Sequence, residues 1–555
     1  MEDEFNMKND NTSSWLKHYD EGVSSQIVYP KITLPEILTT IAGTHPLRDC
    51  IIHKNQKITF LDLERSTSQV AVSLQEQGIQ KGDRVGIIME NTPGFVTSFF
   101  SILKAGGVVV AINPNYKIPE IEYIVDDSGI KVLIAGSTQE SLSYALRQIK
   151  PIKLVLKINE LPIHFDDNSS ARELFHLVNG EKITPLDKEG EGLPIITPDD
   201  PAVFQYSGGT TGTPKAAVGL HRNLVANVYQ FSEWLKCIDK SHPIFLSVIP
   251  FYHVYGMVLA MCLPIQMGAT MLTLENMRSM DEIMETISYH KPDVFPCVPS
   301  LFRAMIKSPL IRNLQKGDLK ICISGSAPLE QDILEGFETK TGAKILEGYG
   351  LSEAPTATHC NPLAGRKKIG SIGLPLPNVV SRIVDLEKGE TELPIGVEGE
   401  LIIRGPQVMR EYFNREHETR ATLRNGWLYT GDIARMDNEG YTFITGRKKD
   451  LIKVSGFQVW PLEIESVIRR YPGVADVVVA GIYDENTGER PKAWIIPGEG
   501  FVFDILKLQR YCKNSLADYK VPKEIEVVSE FPRSNIGKVL RRELIRLDHE
   551  KKHPG

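Results

Sequence analysis

Short apolar runs alternate with helical patterns through the first two thirds of the chain, and few folds accept that alternation. Val85-Gly86-Ile87-Ile88-Met89 is followed by a helical stretch from Val96 to Leu103 and then by Val108-Val109-Val110-Ala111-Ile112. A strand with no polar face must be covered on both sides, so this spacing predicts buried parallel strands joined by helices. The rhythm returns at Lys131-Val132-Leu133-Ile134, at Ile244 to Ile249, at Met271-Leu272-Thr273-Leu274 and at Leu319 to Ser324. The class read from it is α/β, with parallel βαβ sheets covered by helices on both faces.

At 555 residues the chain is longer than one hydrophobic core organises, so at least two domains are expected. From Arg382 to Arg404 the pattern turns to short strands punctuated by Gly and Pro, which predicts a small β-rich subdomain inside a large N-terminal lobe. Beyond Gly446-Arg447-Lys448-Lys449-Asp450 the order becomes helix (Pro461 to Tyr471), strands (Val474 to Ile482), helix (Asp504 to Leu516) and strand (Glu524 to Val528), a smaller α+β C-terminal domain. The expected division is residues 1–446, a boundary at 447–450, and residues 451–555. The charged boundary segment also reads as the solvated turn of a hairpin.

Lys plus Arg number 63 and Asp plus Glu 70, a net charge of −7, which gives no bulk electrostatic reason to bind nucleic acid or an anionic membrane. The seven cysteines are odd in number, widely spaced and without a C-x-x-C, so neither a disulfide framework nor a zinc site is expected and a reducing cytoplasm fits. The acidic start, Met1-Glu2-Asp3-Glu4-Phe5, lacks the features of a secretory or mitochondrial signal or of myristoylation, and the end, His553-Pro554-Gly555, those of a peroxisomal or prenylation signal. His242 to Leu274 carries no charged residue and is long enough to cross a bilayer, but Pro250, His253, Gly256, Pro264, Gln266 and Gly268 interrupt it, so a buried core is the expectation.

Chemistry enters at Tyr206-Ser207-Gly208-Gly209-Thr210-Thr211-Gly212-Thr213-Pro214-Lys215, which comes after the apolar Ala202-Val203-Phe204. Glycines let backbone N–H groups converge on an anion; Ser207, Thr210, Thr211 and Thr213 add hydroxyls, and Lys215 adds a cation. Phosphate is the natural guest, against the plainer reading of a flexible Gly/Thr turn. The pattern is not that of P-loop NTPases, because Thr213-Pro214 precede the lysine.

In this order with six further motifs, the chain resembles the acyl-adenylate-forming enzymes, which include acyl-CoA synthetases, luciferases of the firefly type and the adenylation domains of peptide synthetases. The others are Phe251-Tyr252-His253-Val254-Tyr255-Gly256, Ser324-Gly325-Ser326-Ala327-Pro328, Glu347-Gly348-Tyr349-Gly350-Leu351-Ser352-Glu353, Tyr429-Thr430-Gly431-Asp432, the Gly446 to Gly456 segment, and Pro532-Arg533-Ser534-Asn535-Ile536-Gly537-Lys538. The resemblance runs from about Trp15 to Leu544 and implies a nucleotide site. Ser207, Gly208, Gly209, Thr210, Thr211, Gly212, Thr213 and Lys215 would hold the phosphates. Gly325, Ser326, Ala327 and Pro328, with Glu347, Gly348, Tyr349, Gly350, Leu351 and Ser352, would surround the adenine. Asp432 would accept from the ribose hydroxyls, its two oxygens suiting two donors, and Arg447 would contact the nucleotide. Taken alone, a Tyr between glycines is also ordinary packing, Thr-Gly-Asp an ordinary turn, and an isolated Glu an exposed one.

By the same resemblance Glu353, with Thr211, would hold Mg²⁺, a hard cation that prefers oxygen ligands. His253 would border the acyl carboxylate and gate the thiol's passage; a lone histidine in an apolar run is otherwise a core residue. Lys538 would bridge carboxylate and α-phosphate during adenylation, although its segment also reads as a solvated basic patch. Lys449 would be the hinge of a mobile C-terminal domain, and Lys453, Ser455 and Gly456 would serve the CoA half-reaction after that domain turns. Gly446 stands where many relatives carry Asp. The implied activity is ATP-dependent ligation of a fatty acid, of medium or long chain, to CoA through an acyl-AMP, with ATP, the acid and CoA as partners and AMP and diphosphate released. The opening Trp15 to Val23 and the segments Gly348 to Glu353 and Thr358 to Pro362 look most like bacterial long-chain fatty-acyl-CoA ligases. An aryl or other carboxylic acid is the alternative substrate, and a non-catalytic nucleotide-binding or membrane-scaffolding protein the alternative class; retention of Lys538, Glu353 and Asp432 argues against the latter. Peripheral contact with the inner face of a membrane is suggested only by the partitioning of fatty acids, and a homodimer only by how often enzymes form one.

Overall fold

The computed structural model describes residues 15–136, 146, 149–158, 175–177, 192–207, 214–238, 241–275, 277–455, 457–502, 504–533 and 539–552. The chain divides into two compact units, Met1–Val380 with Ile403–Leu428, and Ser381–Ile402 with Tyr429–Gly555.

The first unit contains two large sheets. In one, Arg84–Ile88 lies between Val108–Ile112 and Val132–Gly136, all parallel, with Leu154–Ile158 beyond the latter. The fully buried helix Pro93–Lys104 is the crossover, and Thr92 caps it by accepting from Phe95 N. Three strands extend this sheet past Val108–Ile112: Pro201–Ser207 runs parallel to it and pairs antiparallel with Lys215–Leu220, which pairs antiparallel with Glu411–Tyr412. The second sheet has Ile321–Ser324 parallel to both Val294–Cys297 and Lys344–Leu351, and the last of these turns back into Ala354–Cys360 as an antiparallel hairpin. Aromatic side chains fill the core, with Trp234, Phe95, Phe99, Phe231, Phe245 and Phe302 among the largest that are fully buried.

The chargeless stretch from His242 is cut into strand Ile244–Ser247, a π-helical turn Gly256–Cys262, helix Leu263–Gln266 and strand Thr270–Thr273. Its apolar character comes from burial on every side. Among the described residues no helix is long and apolar enough to cross a membrane.

The second unit also holds two sheets. A small one includes Val380–Val384, Gly399–Arg404, Trp427–Met436 and Thr442–Arg447, the last two antiparallel with Asp432 opposite Arg447. The other is built on the long hairpin Val474–Asp484/Gly488–Pro497, joined by Ile452–Val454, Phe457–Val459 and Glu524–Val527, with helices Pro461–Arg469 and Ile505–Ser515 packed on it. The α/β class and the smaller α+β C-terminal body match the expectation. The contact-defined division differs from the expected one at 447–450. Strands Ser381 to Ile402 and Tyr429 onward group with the C-terminal residues, because Trp460 packs directly on the Thr442–Arg447 strand: a Cβ at Gly446 would come 2.9 Å from the indole ring. Lys448–Asp450 is a short 3-10 turn inside this second unit.

Candidate active site

In the first unit the phosphate-loop motif sits between two paired strands, with Ser207 directly across from Lys215. Gly208, Gly209, Thr210, Thr211, Gly212 and Thr213 lie outside the described residues; their frame is well defined. Tyr206 donates its hydroxyl to Asp127 at 2.8 Å, and Asp127 is ion-paired to Arg415. Tyr123 donates to the Pro214 carbonyl at 2.8 Å. Helix Ile118–Ser128, which carries Tyr123 and Asp127, therefore fixes both ends of the loop.

Lys215 is drawn toward residues from a distant part of the sequence. Its Nζ lies 5.6 Å from the centroid of the Tyr412 ring and 3.7 Å from the Glu418 carboxylate. The Tyr412 hydroxyl in turn donates to Glu353 Oε1 at 2.6 Å. Burial and the Glu353 charge push the Tyr412 phenol well above its ordinary pKa, so it remains a donor at physiological pH. The loop lysine and the carboxylate expected to serve a cation thus meet at one tyrosine.

A second cluster gathers the residues expected on the adenine side. Strands Ile321–Ser324 and Lys344–Leu351 are parallel with Ser324 level with Glu347. The segment leaving the first strand, Gly325 to Pro328, ends at Leu329, whose N–H donates to Glu347 Oε1 at 3.0 Å. Ser326 holds φ at +69°, a conformation a non-glycine residue adopts only when its surroundings impose it. Glu347 is buried, and desolvation pushes its pKa up to about 8. Gly325 is buried with the Tyr255 ring directly beneath it. That ring is pinned where its hydroxyl reaches Ile323 O at 2.6 Å and accepts from Cys297 N at 3.1 Å. Two residues earlier His253 is half-buried and its Nδ1 accepts from Tyr255 N at 3.2 Å, which places the neutral ring's proton on Nε2. Tyr255 thereby ties the histidine motif to the Gly325 turn.

Tyr349 is half-buried on the hairpin strand opposite His359, with ring centroids 6.1 Å apart in an edge arrangement. His359 is fully buried and desolvation lowers its pKa to about 3, so it stays neutral beside that ring. Gly350 comes next, at a break in the hairpin register, where a Cβ would fall 1.5 Å from the Thr356 carbonyl oxygen; no side chain fits. Leu351, Ser352 and Glu353 complete the turn, all half-buried.

In the second unit Asp432 is buried and paired to Arg447 Nε at 2.6 Å across the strand register. The buried Glu400 braces the turn leading to it, accepting from Gly431 N at 3.1 Å through one oxygen and from Lys448 Nζ at 2.8 Å through the other. Thr430 adds a hydrogen bond to Leu401 O at 2.7 Å. Lys449 is next in the 3-10 turn, and Asp450 lies 3.7 Å from Arg541, whose other nitrogen pairs with the buried Glu465 at 2.7 Å. Lys453 is exposed on strand Ile452–Val454, its backbone N–H donating to Glu489 at 2.7 Å. Ser455, just past that strand, has φ +50° and its N–H on Thr487 O. Gly456 and Lys538 lie outside the described residues. The segment containing Lys538 is flanked by a bridge between Arg533 and Val539.

Sequence reasoning missed Tyr412, Glu418, Tyr255 as a support, and Glu400. Of these only Tyr255 falls within a motif, the aromatic run around His253; Tyr412 and Glu400 become visible through their strands, and Glu418 through the helix Glu416–Thr422 that follows Tyr412.

Chemically, the first unit offers a lysine, a carboxylate on a phenol and a Gly-lined tyrosine, a set suited to a nucleoside triphosphate. The second offers a buried, braced carboxylate and several cations. Among the described residues no group of three His, Cys, Asp or Glu could hold a metal ion. A cation serving Glu353 would therefore bring most of its ligands as phosphate and water oxygens, which suits Mg²⁺.

Residues 38–413 match the sequence profile described as AMP-binding enzyme, and residues 463–538 that of the AMP-binding enzyme C-terminal domain. The chain is 35% identical, over 97% of its length and 99% of the relative's, to a long-chain-fatty-acid–CoA ligase of Bacillus subtilis strain 168. Among solved structures, ATP-bound MatB from Rhodopseudomonas palustris superposes with a TM-score of 0.83 at 27% identity, covering 94% of this chain and 100% of the other. O-succinylbenzoate coenzyme A synthetase from Bacillus subtilis, in complex with ATP and magnesium ion, superposes with a TM-score of 0.76 at 26% identity, covering 92% and 98%.

Proposed function

This chain belongs to the AMP-binding enzyme family, and from that premise we infer that it is an AMP-forming acyl-CoA synthetase, a ligase that joins a long-chain fatty acid to CoA at the expense of ATP. The observation that carries this reading is identity spread over essentially the whole length of a long-chain-fatty-acid–CoA ligase; the meeting of Lys215 and Glu353 at Tyr412 supports it.

In the first step a carboxylate oxygen of the acid bonds to the α-phosphorus of ATP and the bond to the β-phosphate oxygen breaks, giving acyl-AMP and diphosphate. Two anions must approach, so cations at the reacting oxygens lower the barrier. We assign Lys538 to the carboxylate and α-phosphate, and Lys215 with the Ser207 to Thr213 loop to the β- and γ-phosphates. Tyr349 and the Gly325 to Pro328 turn would stack and enclose the adenine, and Asp432 would accept from both ribose hydroxyls. Its carboxylate is suited to that because the Asp432–Arg447 pair and the Glu400 brace leave it little freedom. Mg²⁺, held by Glu353 and Thr211 when present, would neutralise phosphate charge.

In the second step the CoA sulfur bonds to the acyl carbon, AMP leaves, and the thiol proton is lost. His253, beside the path of the thiol, and Lys453, Ser455 and Gly456 are assigned here. The division of labour requires residues 451–555 to turn about Lys449 between steps, so that Lys538 and the Lys453 strand serve in succession and the anhydride is not released to water. Fatty acids partition into bilayers, so a cytoplasmic enzyme drawing on the adjacent membrane surface suits this substrate.

The test is direct. Purified protein with ATP, CoA and a panel of acids should release AMP and diphosphate in equal amounts, and long-chain acids should give the highest kcat/KM. Diphosphate exchange into ATP should need an acid but not CoA. Exchange with no acid dependence would end the ligase reading; preference for an aryl acid would move the substrate class.

A further inference from the structure

Tyr412 belongs to no recognised motif, yet it touches two of the residues the reaction depends on. Its ring face is turned to the Lys215 ammonium and its hydroxyl to Glu353. The placement is set by backbone rather than by chance contact. Strand Glu411–Tyr412 pairs with Lys215–Leu220 so that Tyr412 stands opposite Ala217, two residues from Lys215 and therefore on the same face. Phe413 N donates to Ala216 O at 2.9 Å, and Tyr412 N to Thr419 Oγ1 at 2.9 Å. At the start of the segment Met409 N donates to the Glu353 carbonyl at 2.8 Å. One short strand is thus tied both to the strand that leaves the phosphate loop and to the backbone of the carboxylate residue. The phenol is buried, so water competes poorly for its hydrogen.

We propose that Tyr412 is a positioning residue for the nucleotide's divalent cation: it holds Oε1 of Glu353 so that the other oxygen is presented to the metal, in fixed register with Lys215. The proposal rests on the assignment of Glu353 as metal ligand made above. A carboxylate with one oxygen fixed by a donor loses less freedom when a cation binds. Such outer partners of metal ligands are typically worth about 10-fold or more in metal affinity. Glu418 fits the same arrangement, since its carboxylate, on the exposed helix Glu416–Thr422, accompanies Lys215 and can yield it to phosphate.

The experiment is equilibrium binding of Mn²⁺, followed by its electron paramagnetic resonance signal, to the full chain with α,β-methylene-ATP, whose α–β link the enzyme cannot cleave. Tyr412→Phe keeps the ring over Lys215 and removes only the hydroxyl. It should weaken Mn²⁺ binding about tenfold, while binding of the analogue without divalent cation changes less than about twofold. Raising Mg²⁺ should then restore much of the adenylation rate. Glu353→Gln is measured beside it. If Glu353→Gln loses Mn²⁺ and Tyr412→Phe does not, the positioning role is wrong and the ligand assignment stands. If neither variant loses Mn²⁺, the ligand assignment fails and takes this proposal with it. Equal weakening of metal-free and metal-bound nucleotide by Tyr412→Phe would mark a general packing role and also overturn it.

Discussion

Replacing Glu347 by Gln should leave stability unchanged near pH 4 and raise it progressively toward pH 8. The side chain is buried between the Ile321–Ser324 strand and the turn beyond it, where it accepts from the Leu329 N–H. Desolvation raises its pKa from 4.5 to about 8, which at 1.36 kcal/mol per unit corresponds to roughly 5 kcal/mol once the group is fully ionised. The sign is set by proton binding. Between pH 4.5 and 8 the folded protein keeps a proton the unfolded chain has released, so stability falls as pH rises through this window and levels off above it. A glutamine still accepts from Leu329 through its Oε1 but cannot ionise. The variant should therefore match wild type near pH 4 and gain on it steadily to pH 8, by several kcal/mol at the end. Urea midpoints of the two proteins, measured at half-unit intervals from about pH 4 to 9, isolate this group because every other titration is shared. Hydrogen exchange should place the loss in the Ser324 to Leu329 segment, and wild type should show a rising KM for ATP above pH 8 that the variant lacks. A constant difference between the two proteins across the whole range would refute the argument.

Asp432→Asn should raise the KM for ATP by about 10- to 100-fold, the worth of a charge-assisted hydrogen bond, with a smaller effect on the KM for CoA; steady-state kinetics with each substrate varied would read the split. Lys538→Ala should abolish acyl-AMP formation yet leave thioester formation from supplied acyl-AMP largely intact, and equal loss in both assays would overturn the assignment of that lysine. Glu400→Gln should weaken ATP binding in the same direction as Asp432→Asn but less, because one of the two donors it anchors is a neutral backbone N–H; a nucleotide titration by fluorescence checks the order.

The buried strands were legible because burial on both faces writes itself as an unbroken apolar run, and helix Pro93–Lys104 because its apolar positions continue the pattern from Val96 to Leu103. Its true start lies three residues earlier, where Thr92 caps it, since a cap is polar and carries no periodicity. In the chargeless His242 to Leu274 stretch the runs read at Ile244 to Ile249 and Met271 to Leu274 are the strands Ile244–Ser247 and Thr270–Thr273, but hydropathy did not separate the π-helical turn from the helix between them, because both are buried and look alike. The antiparallel additions at the sheet edges were also hidden. Glu411–Tyr412 is two residues long, too short to show an alternation, and only its register with Lys215–Leu220 defines it.

That short strand also explains which part of the site a sequence can reveal. The residues proposed to touch the nucleotide are set by type and by spacing along one loop, so Ser207 to Lys215, Gly325 to Pro328 and Glu347 to Glu353 stand out as motifs. The residues that hold them are constrained in space instead. Tyr412 is 59 positions from Glu353, and Tyr255 is 42 from Cys297 and 68 from Ile323. Glu400 is 31 positions from Gly431 and 48 from Lys448. No local pattern spans such separations. Each support nevertheless obeys the same rule: it is buried, and it spends its polar atom on or beside a group assigned to the proposed site. A buried polar atom left without a partner costs about 1–3 kcal/mol, so these side chains are held to their partners as firmly as the partners are held for the ligand. Conservative removal of one hydroxyl, as in Tyr412→Phe, should therefore disturb ligand geometry well before it disturbs the fold.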